Sequence, residues 1–249
     1  RLGNKMDENT PLLEMRNISK DFFGNSVLKN ISFKLEKGEI LGLVGENGAG
    51  KTTLMKILFG MTVIRDTGGY TGEILLNGKP VAYKTPFEAL DDGIGMVHQE
   101  FSLLPGFTAA ENILLNREST RNNFMTELFG DRMRTLDRGD MKSRAAKAIS
   151  KTGIALDEEM LVSEMPVGHK QFTEIARELE KDNLKLLVLD EPTAVLAESE
   201  AEILLKSMKK LSGEGIAIIF ISHRLREIIN ITDRILVLRD VKMVQEKPT

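Results

Sequence analysis

The sequence predicts an α/β fold built on a mostly parallel sheet, with an antiparallel β subdomain and a helical subdomain. Three observations carry that prediction. Unbroken apolar runs stand at Ile40–Val44 (ILGLV), Leu184–Leu189 (LKLLVL) and Ile216–Ile221 (IAIIFI), and strands of this kind are buried on both faces, as in a parallel sheet covered by helices. Helix-periodic segments lie between and after these runs, which is the alternation of an α/β core. Residues 12–36 and 70–83 instead alternate in the manner of half-buried strands broken by turns, which suits antiparallel hairpins.

Taken in chain order, Phe23-Gly24-Asn25 marks the first hairpin turn and Asn77-Gly78-Lys79 a second. The run ILGLV ends in glycines and passes into a helix with Leu54, Met55, Ile57 and Leu58 at helical spacing. A further apolar stretch, Ile94-Gly95-Met96-Val97, precedes His98 and Gln99. Residues 108–165 read as mostly helical: a Thr108/Glu111 capping box starts one helix, and a second pattern runs from about Asp140 to Lys151. The cations on the latter, Lys142, Arg144, Lys147 and Lys151, read as a solvated helix face rather than a binding patch. Phe172, Ile175, Ala176 and Leu179 line one face of the next helix. Ala201, Leu204, Met208 and Leu211 line another, opened by a Ser199/Glu202 capping box. Near the end, Asp240-Val241-Lys242 occupies a hairpin turn where Asp-Gly is the expected pair. Valine at positive φ is costly, so a different turn type or a frayed end is expected there.

The totals restrict function more than they specify it. A chain of 249 residues suffices for one large domain or a domain with a lobe. The net charge of -3 makes no electrostatic case for nucleic acid. Without cysteine there are no disulfides and no Cys-based zinc site, which fits a reducing compartment. No apolar run approaches the roughly 20 residues of a membrane span, and the polar start RLGNKMDENT has no signal-peptide core. Any membrane role is therefore expected to run through a partner. The chain starts without Met and stops at Lys247-Pro248-Thr249 soon after a strand pattern, as a piece of a longer protein would.

The chemistry is concentrated in one octet. Gly45-Glu46-Asn47-Gly48-Ala49-Gly50-Lys51-Thr52 satisfies G-x-x-x-x-G-K-[ST] between a buried strand and a helix, the setting of a P-loop. Glycines let the backbone curl its N–H groups around phosphate oxygens, and the following helix directs its positive end to the same place. Lys51 is expected to reach the β- and γ-phosphates and Thr52 to place a hydroxyl on Mg²⁺, with Thr53 beside it. Asp190 and Glu191 end the run LKLLVL, and ligands of open parallel sheets collect at such strand ends. Asp190 is expected to hold Mg²⁺, and Glu191 to polarise the attacking water as general base. His223 closes the run IAIIFIS and is expected to donate to the γ-phosphate. Gln99 offers an uncharged amide as a ligand for Mg²⁺ and a hydrogen-bonding partner for water, while His98 reads as ordinary.

GENGAGKT, Gln99, LVLDEPT and His223 in ISHR together resemble the ATPase domain of ATP-binding cassette (ABC) transporters, over essentially residues 12–246. The resemblance implies a P-loop NTPase core, an antiparallel β subdomain and a helical subdomain at about residues 100–170. It leaves residues 1–11 as a disordered or expression-derived start and 247–249 as the beginning of a linker. It also implies that Phe22 stacks on adenine, although Phe23 in that role, or a core role for both, fits the sequence equally. The wording GENGAGKTTLMKILFG, MVHQEFSLLPGFTAAENI and DEPTAVLAESEAE is similar to the ATPases of bacterial carbohydrate importers of the ribose/galactose type. A nucleoside-importer branch shares much of it. Members of both groups carry two such domains in one chain, and this one is similar to the N-terminal half.

In that family two domains pair head to tail, and each ATP lies between one P-loop and the partner's signature segment, usually Leu-Ser-Gly-Gly-Gln. The matching stretch here is Met165-Pro166-Val167-Gly168-His169, which keeps only Gly168. Pro166 has neither hydroxyl nor N–H to offer a phosphate. Ala197 also stands where most relatives have an aspartate. An asymmetric pair is expected, with hydrolysis at this chain's own P-loop and slow turnover at the site completed by Pro166, Val167, Gly168 and His169. Phe101, Leu103, Leu104, Pro105 and Phe107 fit a role in packing the helical lobe against the core equally with the one the resemblance implies, receiving an integral membrane permease. The resemblance further implies, indirectly, a solute-binding protein. It implies a peripheral place on the cytoplasmic face of the plasma membrane, with ATP and Mg²⁺ as cofactors and no nucleic acid. The expected function is ATP hydrolysis that powers sugar uptake. A nucleoside importer ATPase and a non-transport ABC ATPase acting on nucleic acid or ribosomes are the alternatives.

Overall fold

The computed structural model describes residues 10–121 and 135–249, so most of the expected disordered start and part of the 108–165 region lie outside the described residues. The chain forms two compact units. The first holds the described residues up to Met96 together with Asn183–Glu191 and Met208–Thr249. The second holds Val97–Asp182 and Pro192–Ser207, masked positions apart.

The first unit contains two sheets. Strands β1 (Leu13–Phe22), β2 (Asn25–Leu35), β4 (Thr71–Leu76) and β5 (Lys79–Val81) form an antiparallel sheet in the order β2-β1-β4-β5. Both of its tight turns take positive φ at the two central residues, Phe23 and Gly24 (51° and 88°) and Asn77 and Gly78 (50° and 73°). That backbone matches the right-handed twist of the flanking strands. The other sheet has the order β12-β11-β3-β10-β9-β6, from β3 (Ile40–Gly45), β6 (Ile94–Val97), β9 (Leu186–Asp190), β10 (Ala217–Ile221), β11 (Arg234–Arg239) and β12 (Lys242–Pro248). Strands β11, β3, β10 and β9 run parallel, and β12 turns back antiparallel. The apolar runs read from the sequence are thus the buried centre of this sheet.

One core joins the inward residues of both sheets, such as Met15, Ile18, Leu43, Val188 and Ile219, to Leu54 and Met55 of α1 (Lys51–Leu58). Two short helices, α2 (Thr62–Asp66) and α3 (Pro86–Asp91), follow in this unit.

The second unit is built on α4 (Ala109–Ile113), α5 (Arg138–Thr152), α6 (Val167–Leu179) and the first part of α7 (Glu198–Gly213). A two-residue ribbon, β7 (Thr120–Arg121) with β8 (Thr135–Leu136), stands within the stretch expected to be helical. The Thr108/Glu111 capping box at α4 is present in both directions. Ala110, Ile113, Met141, Ala145, Ile149 and Ala176 form the core between α4, α5 and α6.

Three expectations are corrected. The helix α7 begins at Glu198, so Ser199 lies inside its first turn, and the reaching carboxylate is that of Glu200, which accepts from the Ala197 N–H at 2.9 Å. The α5 cations are more than a solvated face: Arg144 pairs with Glu180 at 2.6 Å, and Lys151 donates to the Leu179 carbonyl at 2.9 Å. Periodicity sees which residues are charged but not which helix lies opposite. The terminal hairpin, finally, does place Val241 at φ 61° beside Asp240 at 48°. The paired strands on either side and a 2.8 Å bond from the Lys29 N–H to the Val241 carbonyl hold the turn against the steric cost.

Candidate functional site

The octet occupies the end of β3, the turn after it and the start of α1. Gly50 enters the helix at φ 100°, and a Cβ there would meet the Leu28 side chain at 2.6 Å and the Val27 carbonyl at 2.7 Å. Only glycine fits. No side chain caps α1, and no acidic residue stands in its first turn. Its free N–H groups and positive end are therefore suited to an anion. Glu46, Asn47 and Gly48 are exposed at the turn, Ala49 is buried, and Thr52 and Thr53 start the helix with Thr52 exposed. Lys51 is buried, and its ammonium donates to the carbonyls of Gly45 (2.6 Å) and Glu46 (3.1 Å), spanning the base of the loop.

The sheet brings Asp190, Glu191 and His223 to this same edge. Ile221 is level with Leu43 on one side and Asp190 on the other, and Leu238 is level with Gly45. Gly45, Asp190 and Ile221 therefore sit at the carboxyl ends of adjacent parallel strands, the edge where α/β sheets collect ligands. Glu191, just past Asp190, takes φ 52°, and its N–H donates to the Ile221 carbonyl at 2.9 Å. Its carboxylate oxygen Oε1 lies 2.5 Å from His223 Nε2. Glu191 is mostly buried and His223 half-exposed, with side-chain exposures of 16% and 48%. Ser222 accepts from the Arg224 N–H at 3.0 Å, which shapes the turn that carries His223. The arrangement joins an anion cradle, a lysine and a carboxylate–imidazole pair along one edge of the sheet.

Phe22 ends β1, half-buried against the core of the same unit, whereas Phe23 is 92% exposed on the hairpin turn. Under the Phe22 ring lies a residue that sequence reasoning missed. Lys20 is 2% exposed, with its ammonium 4.5 Å from the ring centroid. The signal was present: Ile18, Lys20 and Phe22 share the inward face of β1, so a lysine stands at a core position of the alternation.

Gln99 and the segment Pro166–His169 belong to the second unit. Gln99 is exposed two residues past β6. Pro166 precedes α6 without a side-chain cap, and Pro166 and Val167 are exposed. Gly168 is buried, and a Cβ on it would fall 2.3 Å from a Glu200 carboxylate oxygen. Among the described residues, His169 Nδ1 and Gln171 Nε2 are buried side-chain atoms without a hydrogen-bond partner. Within the same unit, the loop that follows Gln99 is firmly held. Glu174 accepts from the Ser102 N–H at 2.6 Å, and Asn112 binds Leu104 N–H and carbonyl at 2.7 and 3.1 Å. Phe101, Leu104 and Phe107 stay exposed upon it.

No group of three or more His, Cys, Asp or Glu among the described residues is placed to hold a metal by itself. A hydroxyl such as Thr52 and one carboxylate such as Asp190, beside an anion cradle, are the donor set that Mg²⁺ accepts together with substrate phosphates. No helix of the described residues is long and apolar enough to cross a membrane.

Residues 28–194 match the family profile described as ABC transporter. Among curated proteins, the chain is 43% identical over 236 residues to the ribose import ATP-binding protein RbsA of Hahella chejuensis, covering 95% of this chain and 44% of that protein. It is 42% identical to the RbsA protein of Clostridium tetani, covering 96% and 44%. The glucose import ATP-binding protein TsgD13 of Haloferax volcanii is 40% identical, with coverage of 92% and 44%. The chain thus spans less than half the length of these relatives. Among solved structures, a nucleotide-free ATP-binding cassette from an ABC transporter superposes with a TM-score of 0.79 at 25% identity, covering 96% of this chain and 91% of that one.

Proposed function

The chain belongs to the ABC transporter family, and from that premise we propose that it binds and hydrolyses ATP to drive import of a sugar through a membrane permease. The observation that carries the hydrolytic part is the Glu191–His223 pair, 2.5 Å apart on the sheet edge that also bears Lys51 and Asp190. The sugar follows from relatives at 40% identity and above whose names specify ribose or glucose import.

In this reading the N–H groups of Gly45 to Thr53 surround the phosphates, and Lys51 exchanges the Gly45 and Glu46 carbonyls for β- and γ-phosphate oxygens. Thr52 and Asp190 would hold Mg²⁺, and the ion would supply charge neutralisation to the phosphates. Glu191 takes a proton from the attacking water, while the His223 Nε2–H that orients this carboxylate turns to donate to the γ-phosphate once ATP is bound. Phe22 carries the adenine. Pro166, Val167, Gly168 and His169 complete the ATP site of a second ATPase domain in a head-to-tail pair. Phe101, Leu104 and Phe107 form part of the surface that meets the permease on the cytoplasmic side.

The test is uptake of radiolabelled ribose and glucose in cells that carry the intact transporter or a Glu191→Gln form of it. ATP-dependent uptake of one sugar, lost in the variant with ATP binding retained, is expected. Uptake of both sugars at parental rates in the variant would refute the assignment.

A further inference from the structure

A lysine has no evident reason to lie in the core of β1, yet Lys20 is 2% exposed. Its ammonium has three partners. It donates to the carbonyl of Thr67 at 2.7 Å and to that of Ile64 at 3.3 Å, and it stands 4.5 Å from the centre of the Phe22 ring. Ile64 lies in α2 and Thr67 is its C-cap. These carbonyls form the negative end of that helix, where a cation is favoured. The segment of α2 continues directly from α1 through Phe59, Gly60 and Met61, and α1 begins at the phosphate loop.

We infer that Lys20 is a positioning residue for the nucleotide base: it fastens the Phe22 ring to the helical segment that starts at the phosphate loop, and it polarises that ring from beneath. The inference rests on the reading that Phe22 carries the adenine. Two physical effects act together. The hydrogen bonds to Ile64 and Thr67 tie β1, which bears the ring, to the α1–α2 segment, so the spacing between base platform and phosphate cradle is held. The cation also draws π density toward one face of the ring. The opposite face is left poorer in electrons and stacks better on an electron-rich purine. Phe23, 92% exposed on the turn, has no such support.

The experiment is a calorimetric titration of the protein with ATP and, separately, with inorganic tripolyphosphate. Lys20→Met, Lys20→Gln, Lys20→Arg, Phe22→Ala and the Lys20→Met/Phe22→Ala pair are compared with the parent. Lys20→Met is expected to weaken ATP binding by about fivefold or more and to leave tripolyphosphate binding unchanged. Lys20→Gln keeps a donor for the carbonyls without the charge, so it serves if the methionine variant does not fold, and the same selective loss is expected. Lys20→Arg restores ATP affinity, and the double variant loses no more than Phe22→Ala alone. Equal losses for ATP and tripolyphosphate make Lys20 a general strut and overturn the inference. Losses that add in the double variant do so as well. If Phe22→Ala weakens ATP binding but Lys20→Met and Lys20→Gln do not, the platform reading stands and only the role of Lys20 fails. If Phe22→Ala binds ATP like the parent, the platform reading fails and takes the inference with it.

Discussion

Glu191 holds φ 52°, a conformation that costs an L-residue energy, and the Ile221 carbonyl keeps its N–H in place. The twist comes directly after Asp190, and the Glu191 carboxylate meets His223. Glu191→Gln preserves the shape and removes the proposed base. Turnover is expected to drop about 100-fold or more while ATP affinity stays within a few-fold, as measured by steady-state ATPase assay and nucleotide titration. Val241 is strained without any such chemistry beside it. At φ 61° a β-branched residue pays for the turn geometry, so Val241→Gly is expected to raise stability by about 1 kcal/mol in denaturant titration. The octet, Asp190, Glu191 and His223 were readable as residues because each ends or follows an apolar run. The contact between Glu191 and His223 was not readable, since it depends on β9 and β10 being neighbours in register.

At the scale of elements, α6 carries the most dependent chemistry. Gly168 leaves room for the Glu200 carboxylate, which caps the Ala197 N–H at the start of α7. Gly168→Ala pushes that carboxylate away, and the loss of the cap is expected to cost about 1 kcal/mol, with Glu200→Ala adding little further in the double variant. Glu174, on the same helix, is 1% exposed, and burial holds its carboxyl above the ordinary Glu value, partly offset by Arg177 and the Ser102 N–H. Between the ordinary and the raised value the folded chain binds more protons than the unfolded one. Its contribution is therefore complete below the ordinary value and is lost as pH rises through the raised one. Glu174→Gln keeps an acceptor for Ser102, so melting temperature followed from pH 4 upward (about 4 to 8) is expected to decline less steeply in the variant. Amphipathic spacing located α6 and its apolar face. The polar residues buried on it, Gln171, Thr173, Glu174 and Glu178, gave no such signal, because their burial depends on what other segments bring to them.

For the whole molecule, the departures in the signature segment set the prediction. Within the proposed head-to-tail pair, Pro166→Ser places a hydroxyl at the start of α6 and is expected to raise turnover at the second site, measured in the intact protein with Lys51→Ala silencing the first. Unchanged turnover there, with Lys51→Ala alone leaving half the parental rate, would sink the proposed asymmetry. From sequence alone came the α/β class, the phosphate octet between strand and helix, and the residues at the ends of the central strands. Each of these is local: an apolar run, a glycine spacing or a residue following a run can be read without knowing what lies across from it. The order β11-β3-β10-β9, the 2.5 Å approach of Glu191 to His223, and the lysine seated beneath Phe22 were decided by tertiary structure. They are contacts between segments far apart in the chain, so packing and register create them. The octet is accordingly legible from its own spacing, whereas the seat of Lys20 beneath Phe22 depends on two carbonyls and a ring that only the folded chain assembles around it.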